Sequence, residues 1–508
     1  MKNHPSRFFA LLSLCSALAA PGLAAKPKNV VFMLADDLGW GELGCYGQKK
    51  IHTPNIDQLA AEGTRFAQHY AGAPVCAPAR CVLMTGRHLG HAEIRGNCQA
   101  HRFFPQFKVG QYPISAGLVT LAEAFKNAGF ATGAMGKWGL GPVGSTGDPN
   151  KQGFDTFVGY NCQAVAHSYY PRHIWYNDKQ VEINKHPIPG HARQPKGKVT
   201  MDKWIGDTYS GFPICEAGVK FIQDHKDKPF FLYLPFTEPH VAMHPPKKSV
   251  EEYPEDWDKE PYRGQCAYLP HPRPHAGYAA MITMLDEHVG KVVAELKKQG
   301  IYDDTLVVFT SDNGTTHYKM GGDHREGGTI FGIGGVDAEF FNSVNGLRGL
   351  KGSVYEGGIR VPMIVRYPAE VKAGALDENT VGYFADWYPT LCAAMGVEAP
   401  ADAVRDGENL WPDITGKEKQ GKRKPLVWVY PEYGGQVAVR IGDFKVVRRE
   451  LKTKKPGNWE VYNLASDRNE TTDIAKDHPE VVKQAIGILK KQMSPNKIFP
   501  LKVPGVND

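Results

Sequence analysis

The sequence predicts an α/β fold: a mostly parallel sheet flanked by helices, with a smaller C-terminal α+β subdomain. Up to about residue 398, short apolar runs alternate with amphipathic helix patterns, as in βαβ units. After residue 398, short strand patterns follow one another and are separated by basic turns. The 508 residues, 42% of them hydrophobic, can bury a large core. The net charge of +6 is mild for this length, so we expect no nucleic-acid partner.

Residues 1–25 have the features of a signal peptide. The basic residues Lys2 and Arg7 precede an apolar run at 8–20, and small residues at 22–25 follow it. No later run reaches the ~18 apolar residues that a membrane span needs. We therefore expect cleavage near residue 25, a periplasmic or secreted protein of bacterial type, and no membrane span.

Residues 26–398 alternate between strand and helix patterns and are predicted to form one large domain. A helix begins at Thr53-Pro54 with proline in its first position, and Thr120 with Glu123 forms a capping box for the next helix. A long amphipathic helix pattern covers residues 278–296. Buried strands are predicted at residues 29–35, 130–135, 230–236, 305–310 and 361–366.

Residues 399–508 are predicted to form the smaller subdomain. Short runs of β-branched and aromatic residues indicate strands at 426–430, 437–441 and 444–448, and their close spacing favours an antiparallel sheet. A final helix is predicted at residues 479–492.

Acidic and amide side chains follow two of the predicted strands. Asp36 and Asp37 come after the strand at 29–35, and Asp312 and Asn313 come after the strand at 305–310. Since ligands bind outside the carboxyl ends of parallel strands, both pairs are expected to meet at one place. Three carboxylates and an amide oxygen suit a hard divalent cation, calcium or else magnesium. Either pair alone is also typical of turns at strand ends.

A third signal lies at residues 76–87, which read CAPARCVLMTGR. Pro78 and Arg80 begin a helix pattern that ends near Gly86. The segment resembles the signature of the sulfatase family, in which the cysteine is oxidised to formylglycine. The implied fold is that of the alkaline-phosphatase-like superfamily, with the catalytic domain at 26–398. Other segments that follow the family's order are NVVFMLADDLGWGELGCYG, GKWGLG, FFLYLPFTEPH, VVFTSDNG, LRGLKGSVYEGGIRVPMIVRYP and VYNLASDRNETTDIA.

The resemblance implies a sulfuric ester hydrolase whose nucleophile comes from Cys76. A maturase would convert Cys76 to formylglycine, and the hydrate of formylglycine offers two geminal hydroxyls. One hydroxyl attacks sulfur, and the other loses its proton when the carbonyl re-forms and sulfate leaves. One Ca²⁺ would lower the pKa of the attacking hydroxyl and neutralise sulfate oxygens. Its expected ligands are Asp36, Asp37, Cys76, Asp312 and Asn313.

Four further catalytic positions are carried over by the same resemblance. Arg80 is expected to hold the nucleophile, at a helix N-terminus that directs positive charge at the sulfate. Lys137 in GKW and Lys351 in RGLKG match two lysines that contact sulfate. His240 in EPH matches the histidine on the leaving oxygen, which makes it the expected general acid.

The chain departs from the family pattern at Gly139, where the family commonly has a histidine. Either another histidine supplies its function, with His167 as the candidate, or the step relies on calcium. The glycine-rich segment 321–335 precedes Asp337, and a loop of polar and aromatic groups beside the site suits sugar selection. We therefore predict His167 and Asp337 as substrate-binding residues; an ordinary loop histidine and an irregular insertion are the alternatives.

The exported state and the polar, aromatic loops favour a sulfated carbohydrate over a steroid sulfate. Resemblance to arylsulfatases and to N-acetylgalactosamine- or galactose-sulfate sulfatases suggests a galactose-type sugar, sulfated at position 3, 4 or 6. The second possibility is a phosphodiesterase or phosphonate monoester hydrolase of the same superfamily. Asn313 argues against it, because phosphatase-like members generally have histidine there. The third is a non-catalytic glycan-binding relative, against which the intact Cys76, Arg80 and lysines argue.

Overall fold

The computed structural model describes Met1 and residues 26–318, 331–400 and 405–507. The predicted signal peptide and most of the glycine-rich segment therefore lie outside the described residues. The predicted fold is confirmed: a large, mostly parallel sheet with helices on both faces is followed by a small antiparallel sheet. The boundary between the two parts near residue 398 stays a prediction.

Ten strands of the described residues form the large sheet, in the order β10-β2-β9-β8-β1-β7-β3-β4-β5-β6. The strands from β8 to β4 in this order are parallel to one another, and β9 runs antiparallel to its neighbours β8 and β2. The strands are β1 (Asn29–Ala35), β2 (Thr64–Tyr70), β3 (Ala131–Lys137), β4 (Thr156–Tyr160), β5 (His173–Tyr176), β6 (Lys179–Glu182), β7 (Phe230–Pro235), β8 (Thr305–Ser311), β9 (Met363–Arg366) and β10 (Ala375–Tyr383).

The small sheet follows the chain order as an antiparallel meander. Three of its strands were predicted, and the fourth strand, β14, was not. Its strands are β11 (Leu426–Tyr430), β12 (Gln436–Ile441), β13 (Phe444–Arg448) and β14 (Trp459–Asn463). The helices of both domains are α1 (Pro54–Ala61), α2 (Cys76–Thr85), α3 (Leu121–Asn127), α4 (Gly211–His225), α5 (Lys247–Glu251), α6 (Pro274–Lys298), α7 (Glu356–Ile359), α8 (Trp387–Met395), α9 (Trp411–Ile414) and α10 (Pro479–Gln492).

Strand β1 shows how the sheet separates two apolar cores. Its residues alternate: Val30, Phe32 and Leu34 pack into the core that contains α2, α3 and α8, whereas Val31 and Met33 pack into the core that contains α1, α4 and α6. All seven of its residues are buried. This double burial explains the continuous apolar run, which is typical of a central parallel strand.

The predicted capping box at the start of α3 is present. The Thr120 hydroxyl accepts a hydrogen bond from the Glu123 backbone N–H at 3.2 Å, and the Glu123 carboxylate accepts one from the Thr120 backbone N–H at 2.7 Å. Two N–H groups that a helix leaves unpaired are thereby satisfied. In the part of the chain that the structure describes, no helix is both long enough and apolar enough to cross a membrane.

A buried ionic cluster joins the small sheet to the large domain. Lys445 of β13 lies 2.9 Å from carboxylate oxygens of both Glu356, in α7, and Glu470. Arg360 pairs with Glu356 at 3.2 Å, and the Glu356 backbone N–H donates to Glu470 at 2.7 Å. Because a buried charge is costly unless it is paired, these contacts fix the small sheet against the segment that leads into β9.

Candidate active site

The predicted site residues converge at the carboxyl edge of the parallel strands. Asp36 and Asp37 follow β1, Asp312 and Asn313 follow β8, and Lys137 is the last residue of β3. All five side chains are inaccessible to solvent. His240 follows β7, and Lys351 and Cys76 approach from the segments before α7 and at the start of α2. The neighbouring positions of β8, β1, β7 and β3 in the sheet bring these residues together.

Asp36 and Asp37 both reach the same cluster although they are adjacent in sequence. Successive side chains of an extended strand point to opposite faces. The backbone of Asp37, however, has a φ of 66°, in the left-handed region that aspartate tolerates better than most residues. Its backbone N–H donates to Asp312 Oδ1 at 3.2 Å. The end of β1 thus places two carboxylates in one cluster.

Arg80 of α2 bridges the two strand ends. Its Nε and Nη2 atoms donate to Asp312 Oδ2 at 3.0 and 2.8 Å, and Nη2 also donates to Asp36 Oδ2 at 3.2 Å. Nη1 donates to the Lys137 carbonyl oxygen. A guanidinium with these bonds in a fully buried position is held rigidly, so Arg80 fixes the helix that carries Cys76 against β1, β8 and β3.

The two lysines each pair with one carboxylate. Lys137 Nζ lies 2.5 Å from Asp36 Oδ2, and Lys351 Nζ lies 2.6 Å from Asp37 Oδ2. Burial alone would raise the pKa of both carboxyls. The facing positive charges, Lys137 for Asp36 and Lys351 for Asp37, outweigh burial and hold both pKa values below their usual range. The lysine pKa values are raised in turn, against the effect of burial, so all four groups are charged.

Cys76 is the first residue of α2 and lies inside this charged cluster. Its Sγ is 3.4 Å from Asp36 Oδ1 and 3.6 Å from Lys137 Nζ, and its relative exposure is 1%. The helix begins two residues before the predicted start at Pro78 and ends at the predicted Gly86. Burial and the nearby Asp36 raise the pKa of the thiol, so an unmodified Cys76 is a neutral thiol and a poor nucleophile.

The oxygen atoms around Asp37 fit a hard divalent cation. Asn313 Oδ1 is buried and accepts no hydrogen bond from any described residue, while the Nδ2 of the same amide donates to Asp37 Oδ1 at 2.7 Å. Donor atoms of Asp36, Asp37, Cys76 and His240 lie within 4.8 Å of one another. An orphaned amide oxygen beside carboxylates is the chemistry that Ca²⁺ prefers.

His240 presents one ring nitrogen to this cluster. Its Nδ1 lies 2.5 Å from the Val241 carbonyl oxygen, so Nδ1 carries a proton and donates it. Nε2 lies 3.7 Å from Asp37 Oδ2 and is therefore the atom free to exchange a proton. Burial and the charges of Lys137 and Lys351 lower the pKa of His240 to about 4. Nε2 is thus unprotonated at neutral pH.

The structure separates the two predicted substrate-binding residues. The His167 ring stacks on the His240 ring, with centroids 5.2 Å apart and 12° between the planes. Asp337 lies in another network, where one carboxylate oxygen is 3.1 Å from His275 Nε2 and the other accepts from the Phe340 backbone N–H at 3.1 Å. The structure therefore does not bring Asp337 into the charged cluster, because His275 and the local turn occupy its oxygens.

The sequence analysis missed Gln163, which fills the space at Gly139. Gln163 Nε2 lies 2.6 Å from the position that a Cβ at residue 139 would take. This side chain is 4% exposed, and its amide nitrogen has no hydrogen-bond partner among the described residues. Its place three residues after β4, beside β3, is the signal that could have revealed it. Gln163, and not His167, occupies the volume of the missing histidine.

A sheet with a cysteine at a helix N-terminus, three buried basic side chains and a group of oxygen atoms that fits a cation is typical of hydrolases that act on anionic esters. A family model described as Sulfatase matches residues 28–397, and one described as N-sulphoglucosamine sulphohydrolase, C-terminal, matches residues 350–497. The chain therefore belongs to the sulfatase family, whose members are sulfuric ester hydrolases.

Named relatives match over nearly the whole chain. The N-acetylgalactosamine-6-O-sulfatase of Bacteroides thetaiotaomicron is 27% identical, over 92% of this chain and 94% of its own. Human arylsulfatase A is 31% identical, over 85% of this chain and 77% of its own. Among solved structures, Ps i-CgsB in complex with k-i-k-neocarrahexaose superimposes with a TM-score of 0.72 at 27% identity, over 92% of this chain and 94% of that one.

The close approach at Gly139 gives a stability prediction. Gly139→His should destabilise the fold by about 2–4 kcal/mol, because a side chain there meets Gln163 and the φ of 82° disfavours any Cβ. Adding Gln163→Ala should recover the steric part. Gly144→His is the control, since residue 144 has a φ of 85° and open space around it. Urea unfolding of the unaltered protein and the three variants would measure their free energies of unfolding. Equal losses of stability in Gly139→His and Gly144→His would contradict the packing argument.

Proposed function

We propose that this chain is an exported sulfatase that hydrolyses sulfate esters of galactose- or N-acetylgalactosamine-type sugars. Its nucleophile would be the formylglycine hydrate made from Cys76, and its metal one Ca²⁺. The observation that carries the proposal is the position of Cys76 Sγ, 3.4 Å from Asp36 and 3.6 Å from Lys137, at the N-terminus of α2. Whole-length similarity to an N-acetylgalactosamine-6-O-sulfatase, and to a structure solved with neocarrahexaose, supports the sugar class.

Two buried lysines would bind the sulfate group. Lys137 and Lys351 lie on two sides of the carboxylate pair, and both would exchange part of their carboxylate contact for sulfate oxygens. Arg80 fixes the position of residue 76 relative to Asp36, because it lies in the helix of residue 76 and donates to Asp36. Because the cluster is inaccessible to water, these charges act on the sulfate with little screening.

The cation site would be formed by Asp36, Asp37, Asp312 and Asn313 together with residue 76. A bound Ca²⁺ supplies Lewis acidity, which lowers the pKa of a hydroxyl at residue 76 and neutralises sulfate charge. Asp312 shares its carboxylate with Arg80, so the arginine orients this ligand. Asn313 offers its unpartnered Oδ1 atom.

His240 would deliver the proton that the leaving sugar oxygen needs. Its Nδ1–H is committed to the Val241 carbonyl oxygen, which directs Nε2 toward the carboxylate pair. Burial and the lysine charges keep Nε2 unprotonated in the free protein. To act as the general acid, His240 would donate a proton from Nε2 to the leaving sugar oxygen.

The first test is a panel of galactose, N-acetylgalactosamine and glucosamine sulfated singly at position 3, 4 or 6, with a phosphodiester included. One galactose-type ester should be cleaved, and peptide mass spectrometry of the active protein should show an aldehyde in place of the Cys76 thiol. Cys76→Ala should be inactive, whereas Cys81→Ala, a buried cysteine of the same helix, should keep its activity. Full activity from protein with an unmodified Cys76 would refute the nucleophile, and preferred cleavage of the phosphodiester would favour the alternative hydrolase class.

Calcium binding can be measured without activity. Adding Ca²⁺ to chelator-treated protein should raise its melting temperature, by an amount equivalent to about 2.7 kcal/mol at a hundredfold excess over Kd. Asn313→Leu should weaken this shift because it removes the unpartnered oxygen. A protein that gains no stability from Ca²⁺, or gains it equally with Asn313→Leu, would contradict the proposed site.

The leaving-group role of His240 predicts a substrate-dependent defect. A sugar alkoxide needs a proton in the transition state more than an activated phenolate does. His240→Ala should therefore reduce kcat on the sugar sulfate about 10²–10⁴-fold, and far less on an aryl sulfate with an acidic phenol. The exposed His101→Ala is the control. Equal losses on both substrates would count against the acid role.

A further inference from the structure

A group of three rings borders His240, and the proposed function assigns a role to none of them. We name it the outer cluster: His167, His191 and Tyr268. The Tyr268 ring lies 5.0 Å from the ring of His167 and 4.4 Å from that of His191, centroid to centroid. His167 stacks on His240, whose Nε2 faces Asp37. The outer cluster therefore adjoins the proposed site of proton transfer.

The hydrogen bonds of the outer cluster fix where each ring proton lies. The Tyr268 backbone N–H donates to His191 Nδ1 at 3.1 Å, so Nδ1 is an acceptor and the neutral His191 ring carries its proton on Nε2. His191 Nε2 lies 3.0 Å from His167 Nδ1. The Nε2–H of His191 must therefore donate to His167 Nδ1. The single proton of a neutral His167 is then on its own Nε2.

Both imidazoles are neutral in this arrangement. Burial lowers the pKa of His191, and burial together with the charge of Lys137 lowers that of His167 further. Among the described residues, the bond from His191 is the only hydrogen bond of the His167 ring. The His167 Nε2–H thus remains available to a ligand.

The loop that contains Tyr268, whose backbone N–H donates to His191, has a strained backbone. Ala267 and Tyr268 both have left-handed backbones, with φ values of 66° and 61°, which is rare for an aromatic residue. Tyr268 is tied to the His191 segment twice, because its carbonyl oxygen also accepts from the Ala192 N–H at 3.2 Å. Strained residues persist where the surrounding structure over-determines them, and they cluster at ligand sites.

We propose that His191 is a positioning residue, which sets His167 as a hydrogen-bond donor to an oxygen of the substrate sugar. His167 in this state has no free lone pair, so it does not serve as the base that activates the nucleophile. The inference rests on the proposed function and deepens it: it places sugar recognition on the outer cluster, next to the acid that protonates the leaving oxygen.

The test compares two changes at His191. His191→Phe keeps an aromatic ring but removes both hydrogen bonds, whereas His191→Gln keeps a donor at the position of Nε2. With the preferred sugar sulfate, His191→Phe should raise KM about tenfold and change kcat little, and with an aryl sulfate the KM should change by far less. His191→Gln should restore most of the sugar affinity. His186→Phe, at an exposed histidine of the same segment, is the control.

A spectroscopic readout separates this proposal from the proposed function. In ¹⁵N-histidine-labelled protein, the His167 ring should show the Nε2–H tautomer, and His191→Phe should shift it to a mixture. This result does not depend on any turnover. An Nδ1–H tautomer in the unaltered protein would overturn the proposal, as would a loss in His191→Gln as large as that in His191→Phe, or equal losses on both substrates. A protein inactive on every sulfate ester would overturn the proposed function and leave the tautomer result standing.

Discussion

The structure depends on the burial of three acidic and three basic side chains at one end of the sheet. Asp36, Asp37 and Asp312 face Arg80, Lys137 and Lys351, and all are at most 6% exposed. Each charge would cost several kcal/mol if left alone in the interior, so every element that carries one must place it against a partner. The apolar cores on the two faces of β1 supply the burial that tolerates this cluster. With three charges of each sign, the side chains of the cluster balance one another.

Strands β1, β3, β7, β8 and β9, several helices and the acidic residues after β1 and β8 could be predicted, because buried apolar runs and the residues that follow them are local properties of the sequence. Cys76, Arg80, Lys137, His240 and Lys351 came from resemblance, and the strand order explains why they meet. The antiparallel direction of β9 could not be predicted, since its apolar run reads the same in either direction. The contact of Asp337 with His275 and the position of Gln163 beside Gly139 join residues far apart in sequence, and no periodicity encodes them.

The small C-terminal sheet takes part in building the site. The side chain of Gln436, in β12, accepts a hydrogen bond from the Val354 N–H and donates one to the Gly352 carbonyl oxygen, at 3.2 and 2.7 Å. Lys445 holds Glu356 a few residues further along. The contacts of Gln436 and Lys445 hold the segment that begins at Lys351. The two sheets therefore both support the segment that carries Lys351, the lysine that we propose contacts sulfate. A large domain without the small sheet would lose this support.

On the proposed function, the burial of Cys76 limits when this residue can be modified. A modifying enzyme must surround a peptide stretch, and residue 76 opens a helix whose ten residues are all buried. The conversion of Cys76 therefore competes with folding. A molecule that folds before it is modified keeps its thiol, and a molecule that is modified first gains the formylglycine. A preparation would contain modified and unmodified molecules that do not interconvert, and its specific activity would measure the modified fraction. Slower folding or more maturase during synthesis would enrich the competent population; treatment of the folded protein would not.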